Sequence, residues 1–118
     1  MYKKYFESLL RSLFCEEANF CHIEKHTKQL IYRVDWKMPT EDQPNKRSRP
    51  IEIHLSSDTL DDYRDASSQL DREQMDRRIM KHIKIKLTAF APEHELSSLE
   101  PPPVEVWSIT PDIVSAPL

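Results

Sequence analysis

The sequence predicts an α+β fold: an N-terminal helix, a three-stranded antiparallel sheet with a possible fourth strand from the C-terminal segment, and a long or bent helix packed on one face of the sheet. Three observations carry this reading. Tyr2, Tyr5, Phe6, Leu9, Leu10, Leu13 and Phe14 recur at helical spacing. Residues 20–55 hold short runs in which apolar and polar side chains alternate. Met75, Ile79, Ile83, Leu87 and Phe90 follow steps of four, four, four and three. A sheet with helices on one side buries all three patterns at once.

The first helix is expected over residues 2–16, with Lys3, Glu7 and Arg11 at i,i+4 spacing on its polar side. Its stripe reads as packing against a sheet rather than against a membrane or a partner helix. From Asn19 the period falls to two, and Phe20, His22 and Glu24 oppose Cys21 and Ile23 in a first short strand. A polar turn at Lys25–Lys28 leads to the second strand. There Leu30, Tyr32, Val34, Trp36 and Met38 share one face, and Ile31, Arg33, Asp35 and Lys37 the other. Residues 39–50, PTEDQPNKRSRP, read as an exposed loop. In the third strand Ile51, Ile53 and Leu55 point inward, Glu52 and His54 outward.

The stretch 58–90 does not read as one clean helix. Leu60, Tyr63, Ala66 or Ser67, and Leu70 form a weaker stripe that fails to join the next, because Gln74 stands where an apolar residue is wanted. Two helices, about 58–67 and 70–90, or one helix bent near Ser68, are expected. Asp58, Asp61, Asp62 and Asp65 early and Lys81, Lys84 and Lys86 late match the helix dipole. Ser57 or Asp58 can cap the start, and Pro92 limits extension past Phe90. Ile85 lies off the stripe, so it is exposed or covered by another part of the chain.

Residues 1–100 are expected to form a single domain, and 101–118 a Pro-rich C-terminal segment, docked near Trp107 and frayed at its end. In that segment Pro101–Pro103 favour polyproline geometry and Val104–Ile109 has strand propensity. With 118 residues, 38% hydrophobic and 31% charged, the composition is that of one small soluble globule. A net charge of −3 argues against general affinity for nucleic acid or anionic membrane. No apolar run approaches the ~20 residues that span a bilayer, and MYKKYFESLLRSLF lacks a continuous apolar core for a leader peptide. A cytoplasmic setting is expected, with Cys15 and Cys21 as reduced thiols. The chain has no glycine at all, against about eight at ~7% usage, which removes Gly-based phosphate loops, dinucleotide fingerprints and the nucleophile elbow.

No motif identifies a chemistry, and each candidate has a plainer explanation beside it. Cys15, Cys21, His22 and His26 lie within twelve residues, but their spacing is not a usual zinc pattern. On a strand, Cys21 and His22 point to opposite faces, and His22 and His26 stand ~13 Å apart. No metal and no cofactor is expected. Asp58/Asp62, Asp61/Asp65 and Glu16-Glu17 read as solvated charges serving the dipole rather than a catalytic pair. His54 near Ser56 and Ser57, and His94 near Ser97 and Ser98, show no assembled nucleophile, base and oxyanion donor, so no enzymatic activity is expected.

Helix, three strands, helix is also the order of the double-stranded-RNA-binding domain, which residues 2–90 resemble in layout. That family presents lysines at the start of its second helix, where this chain has Asp58, Asp61, Asp62 and Asp65. A nucleic-acid site, if any, would use Lys46, Arg47, Arg49, Arg77, Arg78, Lys81 and Lys84, with Arg72 and Lys86 nearby. The order of elements and the acidic charge also resemble the small dimeric secretion chaperones. The favoured expectation is a non-catalytic protein–protein interaction or adaptor module. Its partner would meet an open sheet edge, or an apolar groove near Trp36, Ile85 and Trp107; the C-terminal segment with Val104, Val106 and Trp107 could also serve as a strand-addition peptide for a partner, with docking on this same domain the favoured alternative.

Overall fold

The computed structural model describes residues 3–23, 28–38, 41–42, 44, 46–66, 68–90 and 104–115. In chain order these form α1 (Lys3–Arg11), β1 (Asn19–Ile23), β2 (Leu30–Asp35), β3 (Ile51–Leu55), α2 (Ser57–Arg64), α3 (Gln69–Ala89), β4 (Glu105–Ile109) and α4 (Pro111–Val114). The strands make one sheet in the order β1-β2-β3-β4. The first three are antiparallel neighbours, with Phe20 opposite Val34 and Tyr32 opposite Ile53. The expected α+β class and the fourth strand are both present.

One core lies between the sheet and the helices. The inward residues Phe20, Tyr32, Val34, Ile51, Ile53, Leu55, Trp107 and Ile109 meet Phe6 and Leu10 of α1, Tyr63 of α2, Met75, Ile79 and Ile83 of α3, and Val114 of α4. All four helices therefore cover the same face. Ile31 is also buried, 1% exposed, but it points to the opposite face and is not part of this cluster; Ile23 and His54 are its cross-strand neighbours.

Several expectations need correction in detail. The fourth strand pairs parallel to β3, Ile53 opposite Trp107, and does not extend an antiparallel sheet. Helices α2 and α3 carry the chain back across the core face, so the next strand enters at the end where β3 began. α1 ends at Arg11, and a turn follows, with Leu13 N donating to Leu10 O at 3.0 Å. Leu13 and Phe14 still pack on the core from that turn, which is why the apolar stripe outruns the helix.

The split of the long helical stretch is real. Ser68 caps α3 by accepting from Asp71 N at 3.2 Å. The cap of α2 is Ser56 rather than Ser57 or Asp58: its Oγ accepts from Thr59 N at 3.2 Å and lies 2.8 Å from Thr59 Oγ1. Thr59 is fully buried because its hydroxyl donates to Ile109 O at 2.8 Å, while Ser56 N donates to the same carbonyl at 3.2 Å. The start of α2 is thereby tied to the end of β4.

The loop expected to be exposed over 39–50 is not so throughout. Met38 N donates to Lys46 O and Ser48 N to Trp36 O, both at 2.8 Å, so residues 46–48 fold back along the end of β2. Ser48 is buried, its Oγ accepting from Trp36 N at 3.0 Å. Within the C-terminal segment Pro111–Val114 form α4; Val114 is buried, and its carbonyl accepts from Arg78 Nη1 at 3.0 Å. Tyr2, the turn residues 25–27, parts of 39–45, Ser67, the linker 92–103 and residues 116–118 lie outside the described residues. Among the described residues, no helix is long and apolar enough to cross a membrane.

Candidate functional site

The outer side of β4 combines exposure, apolar side chains and backbone groups that pair with no strand among the described residues. Glu105 N donates to Pro50 O at 3.0 Å and Ile109 O accepts from Ser56 N at 3.2 Å. In a parallel ladder the bonded residues alternate, so Glu105, Trp107 and Ile109 face β3 with their backbone groups. Val106 and Ser108 then turn N–H and C=O toward the open side, since β4 is the last strand of the sheet. Val106 is 52% exposed and Val104 38%, and both lie on the face away from the core. The one charge of the strand lies on the core side and is paired, with its side chain still 40% exposed. Glu105 Oε2 lies 2.9 Å from Arg49 Nη2, and Trp107 Nε1 donates to Glu105 Oε1 at 3.4 Å. The result is an edge without the outward charge or proline that usually protects one.

The expected groove divides into two unrelated places. Trp36 lines an apolar groove with Leu13, Phe14, Cys15 and Leu87, between the end of α1 and the end of α3. Phe90 links Trp36 to Trp107, with ring centroids 5.9 Å apart on each side. Trp107 is 2% exposed, so it is a core residue beneath the groove and not a contact surface. Ile85, 60% exposed, stands apart on the outer face of α3 among Arg77, Met80, Lys81 and Lys84. The structure thus brings Trp36 near Trp107, sets Val104 and Val106 along the β4 edge, and leaves Ile85 by itself.

The basic residues also fall into two sets. Arg47 Nη2 pairs with Asp35 Oδ1 at 2.6 Å. Arg49 pairs with Glu105 and lies over the Phe90 ring at 5.4 Å. Arg78 is held by the carbonyl of Val114. These three build the fold. Arg77, Lys81 and Lys84 stay exposed on α3, with Lys46 half-buried far along the chain. Arg72 lies over the Tyr63 ring at 5.9 Å. The acidic start of α2 is solvent-facing, with Arg64 near Asp61 and Asp65 at 3.5 and 3.2 Å.

Among the described residues, no three His, Cys, Asp or Glu side chains gather to hold a metal ion. Cys15 and Cys21 are free and exposed, and His26 and His94 lie outside the described residues, as do Ser97 and Ser98. Ser56 is spent on its cap. His54 Nε2 lies 3.0 Å from Glu52 Oε1, and its register partner is Ser108, which sequence reasoning did not single out. Only the cross-strand register reveals that neighbour. The three sit together on the sheet face away from the core. The Tyr32 hydroxyl, pushed up to about 12 by burial and by Glu7, is no base at neutral pH.

One polar cluster at the margin of the core has no counterpart in the sequence reading. Tyr5 donates its hydroxyl to Asp76 Oδ2, and Tyr63 lies beside them, tying α1 and α2 to α3. Burial raises the Asp76 carboxyl above its usual range; hydrogen bonds from the two tyrosines offset this in part, and Glu73 adds to the rise. The folded state therefore binds this proton more tightly than the unfolded chain. Stability from this group is full below the unfolded value, about 3.9, and falls as pH rises through the folded value. Asp76→Asn removes that dependence. Its stability relative to the parent should improve between about pH 4 and pH 7, as read by urea titrations at both values.

The fold and the edge together define a small α+β domain with a mixed sheet and an open parallel edge strand. Comparison with family models, with curated proteins and with solved structures returns no match for the chain.

Proposed function

We infer that this protein is a non-catalytic protein–protein interaction module, an adaptor that takes an extended segment of its partner alongside β4. One observation carries the reading: Val106 and Ser108 direct backbone groups outward that pair with no strand among the described residues, from an edge whose exposed side chains, Val104 and Val106, are apolar. Strand addition satisfies those groups and pairs the valines with alternate side chains of the incoming strand. A cytoplasmic setting belongs to the same proposal, with the free thiols of Cys15 and Cys21 kept reduced.

Nucleic-acid binding through Lys46, Arg47, Arg49, Arg77, Arg78, Lys81 and Lys84 has less behind it. Arg47, Arg49 and Arg78 are engaged within the fold, and the acidic start of α2 opposes phosphate.

The test is Val106→Pro. Its N–H points away from β3, so proline removes a donor from the open edge and leaves the internal ladder intact. Capture of protein partners from native lysate should fall at least tenfold, while the thermal midpoint stays within a few degrees of the parent. Undiminished capture by a folded Val106→Pro protein would sink the reading. Low-salt recovery of nucleic acid in place of protein would replace it with the alternative.

A further inference from the structure

We propose that the β4 edge pairs with the β4 edge of a second copy of this chain, antiparallel about a twofold axis at Val106. The proposal rests on the reading of β4 as a docking edge and names its occupant. A closed twofold contact requires a surface complementary to itself, and this edge meets that condition residue by residue. Val106 presents both its N–H and its C=O outward, so two copies of Val106 can exchange both bonds as a directly opposed pair. With that pair on the axis, Val104 of each chain faces Ser108 of the other. Ser108 turns its N–H and C=O outward, and the trans peptide before Glu105, whose N–H donates to Pro50 O, turns the Val104 C=O the same way, so the ladder holds about four hydrogen bonds.

The charge pattern favours a second copy. Two identical strands brought together usually set like charges against each other, which is destabilising. Here the only ionised side chain of β4 is Glu105. It lies on the core face, engaged with Arg49 and Trp107, and the pairing sets it across from Trp107 of the other chain rather than its own duplicate. On the outer face the axis brings two exposed valines together, an apolar pair that strands favour. The two sheets then join into one, with both helical layers on the same side. A ladder of this length is a small interface of the weak class, so dimerisation should depend on concentration.

The experiment uses the full chain with Cys15→Ser and Cys21→Ser, because both thiols are exposed. Val106→Cys is added and the protein oxidised by air at rising concentration. The opposed pair would have Cα atoms about 5.5 Å apart, inside the range of about 4.4–6.8 Å that a disulfide needs. A covalent dimer is expected. Ser108→Cys alone should stay monomeric, its own duplicate lying about 13 Å away along the strand. An equimolar mixture of Val104→Cys and Ser108→Cys chains should cross-link to each other. The parent should sediment toward twice its 14.0 kDa mass as concentration rises, and Val106→Pro should not. Cross-linking equal at all positions, or none at any, overturns self-pairing. If it is overturned while Val106→Pro still abolishes partner capture, the docking edge stands with another occupant; if Val106→Pro changes neither, both readings fall.

Discussion

Trp107→Ala should be the most destabilising single truncation in the protein, costing about 3–5 kcal/mol, measured as the shift in urea midpoint followed by far-UV circular dichroism. Trp107 lies at the centre of β4, opposite Ile53, and is 2% exposed. Its ring meets Phe90 edge to face at 5.9 Å, with an interplanar angle of 89°, and its N–H donates to Glu105. Truncation removes the apolar area, opens a cavity under the end of α3 and takes away a donor to the carboxylate that also pairs with Arg49. A domain of this size holds about 5–15 kcal/mol in total, so the loss is a large share of its stability. Trp107→Phe keeps an edge for Phe90 and should lose clearly less. A loss below 1 kcal/mol on truncation would mean that β4 contributes little to folding, and the case for β4 as a firm docking edge would weaken with it.

What the sequence made legible follows from what local pattern encodes. The stripe of α3 was readable because burial repeats with the helix period: Met75, Ile79 and Ile83 are its buried residues. The strands were readable because inward and outward side chains alternate, as in Ile51, Ile53 and Leu55 against Glu52 and His54. The break between α2 and α3 showed in two stripes out of phase. The parallel sense of β4 had no such signal. It depends on where the helices return the chain, and the alternation in VEVWSI is the same in either direction. The burial of Ser48 and Thr59 was hidden because each is a polar residue whose partner is a backbone group distant in sequence. Arg47, Arg49 and Arg78 read as free charges for the same reason, since their partners Asp35, Glu105 and the Val114 carbonyl are set by the fold alone. Val104 and Val106 were legible as candidates. The direction of their backbone groups became definable only once β3 was known as the partner strand.

Phe6→Ala should cost about 3–5 kcal/mol and decide whether α1 belongs to the core or is a detachable partner helix. Phe6 is fully buried, with Leu10 one turn on, and both lie in the central cluster. Its ring contacts Tyr63 at 5.1 Å and Tyr5 at 5.5 Å, so the truncation also loosens the aromatic seam that brings the Tyr5 hydroxyl to Asp76. The polar side of the helix supplies the contrast. Glu7 and Arg11 form an exposed i,i+4 pair at 3.0 Å, worth a few tenths of a kcal/mol, so Glu7→Ala should move the midpoint little. If α1 were an add-on that docks and leaves, Phe6→Ala would abolish its protection from hydrogen exchange and leave the unfolding midpoint of the sheet and α3 where it was. As an integral layer, its loss lowers that midpoint as a single cooperative transition. The integral arrangement fits the surface map as well: α1 lies on the core face, with Phe6 and Leu10 in the central cluster, away from the outward backbone groups of β4 that the proposed docking uses.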